Sequence, residues 1–266
     1  MTRRRLDAEL VRRGLVSSRA EAQEAVAAGL VCVAGAPARK AASLVADDAA
    51  LSLAGPPRRF VSRGGDKLQA ALDRWSIDPA GRSCLDAGAS TGGFTDCLLR
   101  AGAARVLAVD VGYGQLAWPL RTDQRVEVRE RTNVRTLTVD DLPFRPGIVV
   151  ADLSFISLRL VSDPLVSVAA TDASFVVLVK PQFEAGPDDV RRGGVVRDPA
   201  IWGRVVAEVA EAFASAGAAA RGAMASPVVG PAGNVEFLLW AAKGGEAPEA
   251  LDIDAVIAEG EGVRDA

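Results

Sequence analysis

Apolar residues follow a helical spacing at the start of this chain and then give way to short extended runs. In LDAELVRRGL and in SSRAEAQEAVAAG, leucine, valine and alanine recur at helical intervals, which predicts two helices. Ser18 and Glu21 form a capping-box pattern for the second helix, which should end near Gly29. The extended segments that follow, LVCVAG and ALSL among them, complete a small α+β unit.

A different rhythm begins after the Gly-Pro-Pro interruption at residues 55–57. SRGGDKL leads into an amphipathic helix, and short apolar runs then alternate with helical stretches. The runs are SCLDAG, RVLAVD, VEVRE, GIVVAD, SFVVLVK, MASPVVG and VEFLLWAA, which predict an α/β fold with a mostly parallel, seven-stranded sheet. Because only PAGN separates the last two runs, we expect them to form a hairpin that adds an antiparallel strand to the edge of the sheet.

These patterns divide the chain into four segments. We expect a small α+β domain at residues 1–54, a joint at 55–62, an α/β domain at 63–243, and an acidic tail, helical or frayed, at 244–266. Residues 1–60 carry ten Lys and Arg against six Asp and Glu, although the net charge of the whole chain is −3. The basic first domain indicates either a surface that faces nucleic acid or a solvated basic surface, and charge alone does not separate the two.

Composition excludes several classes of protein. With 49% hydrophobic and 24% charged residues, the chain is typical of globular proteins. It begins without an apolar signal segment and has no run long enough to span a membrane, so secretion and membrane insertion lack support. Cys32, Cys84 and Cys97 have no CxxC spacing, which indicates neither a metal site nor a disulfide framework. We therefore expect a cytoplasmic protein.

Lysine is rare in this chain and histidine is missing. Four lysines, Lys40, Lys67, Lys180 and Lys243, stand among 31 basic residues. Arginine supplies charge but keeps its proton, whereas lysine can release one. A general base must therefore be a lysine, a carboxylate, a cysteine or the single tyrosine. Two of the lysines belong to distinctive motifs: Lys67 lies in SRGGDKL, and Lys180 ends SFVVLVK.

CLDAGASTGGFTDCLL combines a strand, a loop of small residues and a helix that begins near Gly93 or Phe94. It has neither the GxGxxG of a dinucleotide site nor the GK[ST] of a phosphate loop. It resembles motif I of the class I S-adenosylmethionine-dependent methyltransferases, a resemblance that implies this cofactor, with its methionine end on the loop and its ribose on the acid after the next strand. Asn133, in RTNVR, is a candidate for the adenine edge or a simple turn residue. The residues assigned to the cofactor are Asp86, Gly88, Ser90, Thr91, Gly92, Gly93, Phe94, Asp110 and Asn133.

Charged residues follow two neighbouring apolar runs. Asp152 ends GIVVAD and Lys180 ends SFVVLVK, so both should face the crevice at the carboxyl ends of the strands. Lys67 should approach from the preceding helix and Glu236, in NVEFLLW, from the late hairpin. SRGGDKL, VDVGYGQLAW, ADLSFISL, LVKPQFE, GGVVRD and NVEFLLW together resemble the TlyA, or hemolysin A, family of ribosomal RNA 2′-O-methyltransferases nearly end to end. The resemblance implies that these four residues are the catalytic set.

A ribose 2′-hydroxyl is a poor nucleophile, so methyl transfer to it benefits from a neutral amine that accepts its proton. Lys180 is our candidate for that amine. A second ammonium nearby, that of Lys67, favours the neutral form, whereas the carboxylate of Asp152 opposes it and should chiefly orient Lys180. Glu236 would hold Lys67 or the ribose. The alternative is that the four charges form structural ion pairs at strand ends.

Arginines are concentrated in the first domain, which resembles the S4 RNA-binding domain over roughly residues 3–60. The resemblance implies that basic helix faces grip structured RNA. A second group lies in the glycine-rich EAGPDDVRRGGVVRDP, which either closes over RNA or only connects two elements. The residues assigned to RNA are Arg3, Arg4, Arg5, Arg12, Arg13, Arg19, Arg191 and Arg192.

The leading hypothesis is therefore an enzyme that methylates a ribose, with cytidine as the nucleoside that the resemblance suggests, in ribosomal RNA. An RNA-binding or ribosome-assembly protein without turnover is the alternative, and a membrane-active hemolysin has little basis in so charged a chain. The target nucleotide, the ribosomal subunit and the oligomeric state are left open.

Overall fold

The computed structural model describes residues 3–16, 19–54, 59–190, 193–244 and 250–265, and these divide into two compact units, Met1–Ser62 and Arg63–Ala266. In the first unit, apolar side chains of two helices meet those of short strands in one core. The predicted capping residue Ser18 lies outside the described residues. The elements are β1 (Arg3–Arg5), α1 (Leu6–Arg12), α2 (Arg19–Ala27), β2 (Val31–Val33), β3 (Ala36–Pro37), β4 (Leu44–Ala46) and β5 (Leu51–Leu53). β1 pairs with β4, and β2 lies between β3 and β5.

The second unit has a seven-stranded sheet between helices, which confirms the predicted α/β architecture. Its helices are α3 (Gly64–Trp75), α4 (Gly93–Arg100), α5 (Trp118–Arg121), α6 (Ser162–Val168), α7 (Pro181–Glu184), α8 (Pro199–Ser215) and α9 (Ile253–Asp265). Its strands are β6 (Ser83–Ala87), β7 (Arg105–Val109), β8 (Val126–Arg129), β9 (Ile148–Ala151), β10 (Ser174–Val179), β11 (Ala219–Ala225) and β12 (Phe237–Ala242).

The strand order is β11-β12-β10-β9-β6-β7-β8, with β12 antiparallel to both of its neighbours. β6 pairs in parallel with β7 on one side and with β9 on the other. The chain therefore reverses its direction of travel across the sheet after β8, and the carboxyl ends of β6 and β9 meet at this switch point. In open α/β sheets, ligands bind in the crevice at such a point.

The predicted hairpin is present, since β11 and β12 pair antiparallel, but the prediction was wrong in two details. Only Met224 and Ala225 of MASPVVG belong to a strand, because β11 ends at Ala225, before Pro227, whose nitrogen has no hydrogen to donate to a sheet. The antiparallel strand β12 is also not at the edge: it lies between β10 and β11. The near-continuous apolar run FLLWAA suits this inner position, where both faces of the strand are covered.

The described part of the acidic tail contains the helix α9 and belongs to the second unit. Val256 is buried, and Gly260 lies so close to Phe237 and Trp202 that an added Cβ would come within 3.0 Å of the Phe237 ring. The polar residues of the tail stay on the outside, which is why its sequence reads as acidic although one face packs against the domain.

Candidate active site

Strand register brings three charged residues to one edge of the sheet, the edge at which the parallel strands end. Val177 of β10 pairs with Ala151 of β9, and Val179 of β10 pairs with Phe237 of β12. Asp152 and Lys180 therefore follow the carboxyl ends of β9 and β10, while Glu236 precedes the antiparallel β12 at the same edge. A fourth residue, Lys67, reaches this edge from the first turns of α3.

The four charged residues form two ion pairs. Lys67 Nζ lies 2.5 Å from Glu236 Oε2, and the two side chains are only 9% and 2% exposed. Lys180 Nζ lies 2.5 Å from Asp152 Oδ1 and also donates to Ser154 Oγ at 3.1 Å. Lys180 is buried, whereas Asp152 is partly open to solvent. Each ammonium thus has its own carboxylate: Asp152 contacts Lys180 as expected, and Glu236 contacts Lys67, one of the two partners expected for it.

Asp86 is the buried acid of the small-residue loop. Its Oδ2 accepts a hydrogen bond from the Thr95 hydroxyl at 2.6 Å, whereas Oδ1 has no hydrogen-bond partner among the residues that the structure describes. Burial raises the pKa of Asp86 to about 7, and the nearby carboxylates of Asp152 and Asp110 push in the same direction. An orphaned, buried carboxylate oxygen at a switch point is suited to a cationic ligand group.

Asp110 follows β7 and organises the two loops beside it. Its Oδ2 accepts from the Ser90 backbone N–H at 2.8 Å and its Oδ1 from the Gly112 N–H at 2.6 Å. An ionised carboxylate has about four acceptor sites, so capacity for ligand hydroxyls remains. A small pocket adjoins it, lined by Ala89, Ser90, Ala108, Asp110, Gly112, Gln115, Leu116, Val128 and Glu130.

Two glycines of the loop are required by the protein's own packing. Gly88 has φ +87°, and a Cβ there would lie 2.6 Å from the backbone oxygen of Asp152. Gly92 has φ +98°, and a Cβ there would overlap the side chains of Leu116 and Leu120. The close backbone approach that the sequence predicted for a ligand is therefore made here by neighbouring segments of the chain.

The remaining predicted cofactor residues lie around this loop. Ser90 has a left-handed backbone with φ +47°, Thr91 accepts the Ala117 N–H through its carbonyl, and the helix α4 begins at Gly93 with Phe94 buried next to it. Asn133 Oδ1 accepts the Arg135 N–H at 3.0 Å, which is the contact expected of a turn asparagine. The buried acid Asp86, the carboxylate of Asp110 with its remaining acceptor sites, and the small-residue loop together fit a cofactor with a cationic end and a ribose.

Most arginines predicted to bind RNA contact carboxylates of their own domain. Two acids of α1 are fully buried, and the guanidinium groups around them hold the pKa of each well below its usual range. Arg13 also donates to the backbone oxygens of Ala49 and Asp47, so it supports the fold of the domain. The ion pairs are Arg5 and Arg19 with Asp7, and Arg4, Arg12 and Arg13 with Glu9.

The other arginines that were predicted to bind RNA are Arg3, Arg191 and Arg192. Arg3 lies on the exposed strand β1, opposite Ala46, rather than on a helix. Arg191 and Arg192 lie outside the described residues.

Three residues near Lys180 were not assigned a role from the sequence. Phe155 is 91% exposed and has φ +63°, a left-handed backbone that is unfavourable for an aromatic residue, and its ring centroid is 5.1 Å from that of Phe183. Ser154 contacts the amine of Lys180, and Glu184 is buried below the same loop. The signal was present in ADLSFISL and KPQFE, the two motifs that hold these residues.

Within the described residues, no helix is both long and apolar enough to cross a membrane. The model of the FtsJ-like methyltransferase family matches residues 60–243, and that of the S4 domain matches residues 4–49. The 16S/23S rRNA (cytidine-2'-O)-methyltransferase TlyA of Mycobacterium tuberculosis is 55% identical over 90% of this chain and 89% of its own. Hemolysin A of Brachyspira hyodysenteriae is 36% identical over 88% of this chain and 98% of its own.

A solved structure from Streptococcus thermophilus, named as a hemolysin, has a TM-score of 0.81 at 36% identity and covers 100% of this chain and 98% of that chain. These matches confirm the predicted methyltransferase fold, its S4 domain and S-adenosylmethionine as the cofactor. The chain belongs to the FtsJ-like methyltransferases and, among them, to the TlyA family.

Proposed function

We propose that this enzyme methylates the 2′-oxygen of a cytidine ribose in ribosomal RNA. The observation that carries the proposal is the buried amine of Lys180, held 2.5 Å from Asp152 at the sheet edge that the small-residue loop also reaches. Such an amine in a crevice beside a methyl-donor site is placed to accept a proton from a hydroxyl. The cytidine and the ribosomal RNA are carried over from the name of the Mycobacterium tuberculosis relative.

S-adenosylmethionine, when bound, supplies an electrophilic methyl group on a sulfonium. Asp86 and Asp110 would hold it, the first through its orphaned oxygen towards the cationic end and the second towards the ribose hydroxyls. The backbone of Gly88 packs directly on Asp152, so the cofactor loop and the catalytic loop keep a fixed separation. Alignment of the reacting groups by such fixed elements is a large part of the rate enhancement expected for methyl transfer.

Lys180 acts as the general base in this proposal. In its neutral form the amine takes the proton of the 2′-hydroxyl as the oxygen attacks, and Asp152 then stabilises the ammonium that results. Ser154 fixes the direction of the amine through its hydroxyl, which can accept from or donate to nitrogen. The proton thus moves from the ribose oxygen to Lys180 Nζ.

Lys67 and Glu236 form the second ion pair at this edge of the sheet. Their pair is more deeply buried than that of Lys180 and Asp152, so its charges keep fixed positions. A fixed ammonium there can hold the ribose oxygen or its neighbour by a charge-assisted hydrogen bond, while Glu236 orients Lys67. This pair positions the substrate in the proposal, and Lys180 carries the proton.

Substrate binding involves surfaces outside this charged set. The exposed ring of Phe155 offers a stacking face for a nucleobase next to the catalytic amine, and aromatic stacking is a common means of holding an unpaired base. The S4 unit supplies a basic surface, because Arg4, Arg5 and Arg19 remain about half exposed beside the acids they contact. The same proposal places the enzyme in the cytoplasm with the ribosomal subunits.

Transfer of tritium from S-adenosyl-[methyl-³H]methionine to purified ribosomal subunits tests the proposal, with 2′-O-methylcytidine identified by mass spectrometry after digestion. Lys180→Ala should lower turnover by about 10²- to 10⁴-fold, the usual contribution of a general base, and leave cofactor affinity unchanged. Lys243→Ala is the matched control, because the Lys243 amine donates to the Ala169 carbonyl away from the site and its loss should leave turnover intact.

A wild-type protein that binds cofactor and subunits but transfers no methyl group would instead be a non-catalytic RNA-binding protein. Full activity of Lys180→Ala would remove Lys180 from the proposed role.

A further inference from the structure

Glu184 joins the two motifs that flank the catalytic amine. It ends α7, and its side chain is only 2% exposed. Its carboxylate accepts hydrogen bonds from the Ser157 hydroxyl at 2.5 Å and from the Leu158 backbone N–H at 2.7 Å. A glutamate that belongs to KPQFE therefore fastens the end of ADLSFISL.

Glu184 also shares a rigid turn with Lys180. The backbone N–H of Glu184 donates to the carbonyl oxygen of Lys180 at 3.2 Å, and the N–H of Phe183 donates to the same oxygen at 2.9 Å. The turn begins with Pro181, whose fixed φ suits the start of a helix. The position of the Glu184 carboxylate is therefore set relative to the Lys180 backbone.

The loop on the other side begins with the partners of the Lys180 amine. Asp152 and Ser154 contact Nζ, Phe155 follows with its left-handed backbone, and Ser157 and Leu158 then bond to Glu184. The loop and the turn are thus connected at both ends. Between the two connections lies a backbone conformation that aromatic residues avoid, which persists only where the surroundings hold it.

The buried carboxylate of Glu184 carries a free-energy cost that its partners offset. Burial raises the pKa of Glu184, so its charge costs free energy in the folded protein. Arg159 offsets part of this cost: its Nε lies 3.5 Å from Glu184 Oε2, and its other nitrogens donate to the Glu184 backbone oxygen and to Glu208. An apolar side chain would avoid that cost, but it would leave the Ser157 hydroxyl and the buried Leu158 N–H without their acceptor.

We infer that Glu184 is a positioning residue, which holds the loop of Asp152 and Ser154 in register with the Lys180 amine. The inference rests on the proposed role of Lys180 as the general base. A carboxylate suits this task because its partners are all donors, and it accepts from several of them at once. Glutamine keeps the volume and one acceptor, so it should preserve part of the function that alanine removes.

Steady-state methyl transfer to ribosomal subunits tests the inference with Glu184→Ala, Glu184→Gln and Glu208→Gln. Glu184→Ala should lower kcat by about 10- to 100-fold, because a displacement of about 1 Å at a reacting group costs that much, while the KM for S-adenosylmethionine stays within about twofold of wild type. Glu184→Gln should recover part of the loss. Glu208→Gln removes the other carboxylate on Arg159, outside the loop, and should match wild type.

An NMR measurement gives a readout that needs no turnover. The protein has four lysines, so [ε-¹³C]lysine labelling gives four signals, assignable by single Lys→Arg variants. In Glu184→Ala the signal of Lys180 should move, whereas those of Lys40 and Lys243 should stay. This result would support the inference even if the wild-type protein methylated no RNA, an outcome that would contradict only the proposed function.

An unmoved Lys180 signal in a folded Glu184→Ala protein would overturn the inference. The inference would also be overturned if Glu184→Ala lowered both kcat and the melting temperature and Glu184→Gln recovered neither. That pattern describes a residue that only stabilises the fold. Should Glu184→Ala not fold, Ser157→Ala removes one of the two loop bonds and the same NMR comparison decides.

Discussion

The buried pair of Lys67 and Glu236 allows a direct test of whether its charges serve stability or chemistry. We consider three variants: Lys67→Met, Glu236→Leu, and both changes together. Each replacement keeps approximately the volume of the original side chain and removes its charge. The single variants leave one buried charge without its partner, whereas the double variant leaves none.

The structure sets the size of the expected effects. At the Nζ to Oε2 distance of 2.5 Å the attraction is about 7 kcal/mol for an effective dielectric constant of roughly 20, and the cost of removing both groups from water opposes it. Since the side chains are 9% and 2% exposed, a lone charge there cannot recover its hydration. Each single variant should therefore lose about 3–5 kcal/mol, and the double variant should be as stable as wild type or more stable.

Thermal and chemical denaturation of the four proteins measures these differences. For a unit of this size, the singles should melt roughly 6–20 °C below wild type, and the double variant should return to it. Methyl transfer should be lost in all three variants. Two of them lack the ammonium of Lys67, and Glu236→Leu leaves that ammonium without the carboxylate that holds it in place. An active double variant would show that the pair is only structural, and single variants as stable as wild type would refute the burial argument.

Three further variants test other parts of the site. Because burial raises the pKa of Asp86 to about 7, the cofactor-free protein should lose about 4 kcal/mol of stability as the pH rises from about 4 to about 7. Denaturant titrations of Asp86→Asn should show a flatter dependence of stability on pH. An unchanged dependence would contradict the raised pKa of Asp86. Gly88→Ala should lower the free energy of unfolding by about 2–4 kcal/mol, since φ is +87° and the new Cβ would meet the Asp152 oxygen. The control Gly217→Ala, with φ +100° and open space around it, should lower it by only about 1 kcal/mol. Equal losses of stability in the two variants would refute the packing argument. Phe155→Gly should leave stability within about 1 kcal/mol and raise the KM for RNA about 5- to 100-fold by loss of stacking, and an unchanged KM would remove the ring from substrate binding.

The charged residues that follow β9 and β10 could be predicted because strand ends are visible in the sequence. An apolar run that stops at an acid or a lysine places that residue at the end of a strand, as for Asp152 and Lys180. The late hairpin could not be predicted in the same way. β11 contains Arg221 and Gly222, so its pattern is weak, whereas MASPVVG resembles a strand but contains a proline. The predicted strand therefore began too late along the chain.

Burial of charged residues was the feature hardest to predict. Asp7, Glu9 and Glu184 are of types that are almost always exposed, so the sequence gives no reason to expect them inside. The first two are enclosed by arginines from neighbouring segments, and the third by donors of another loop. These arginines could be expected to bind RNA, but their carboxylate partners became apparent only in the folded domain.

The sequence by itself determined the two-domain order, the alternation of strands and helices, the small-residue loop, and the positions of Asp152 and Lys180 at strand ends, because each of these depends on residues that are near one another in the chain. Only the tertiary structure established that Glu236 pairs with Lys67, a contact that the sequence analysis had left open. Lys67 and Glu236 are 169 positions apart, and their contact depends on α3 packing beside a strand that inserts into the sheet from the far end of the chain. The local sequence pattern carries no information about contacts between residues so far apart in the chain. The register of the sheet and the packing of α3 bring the two side chains to hydrogen-bonding distance.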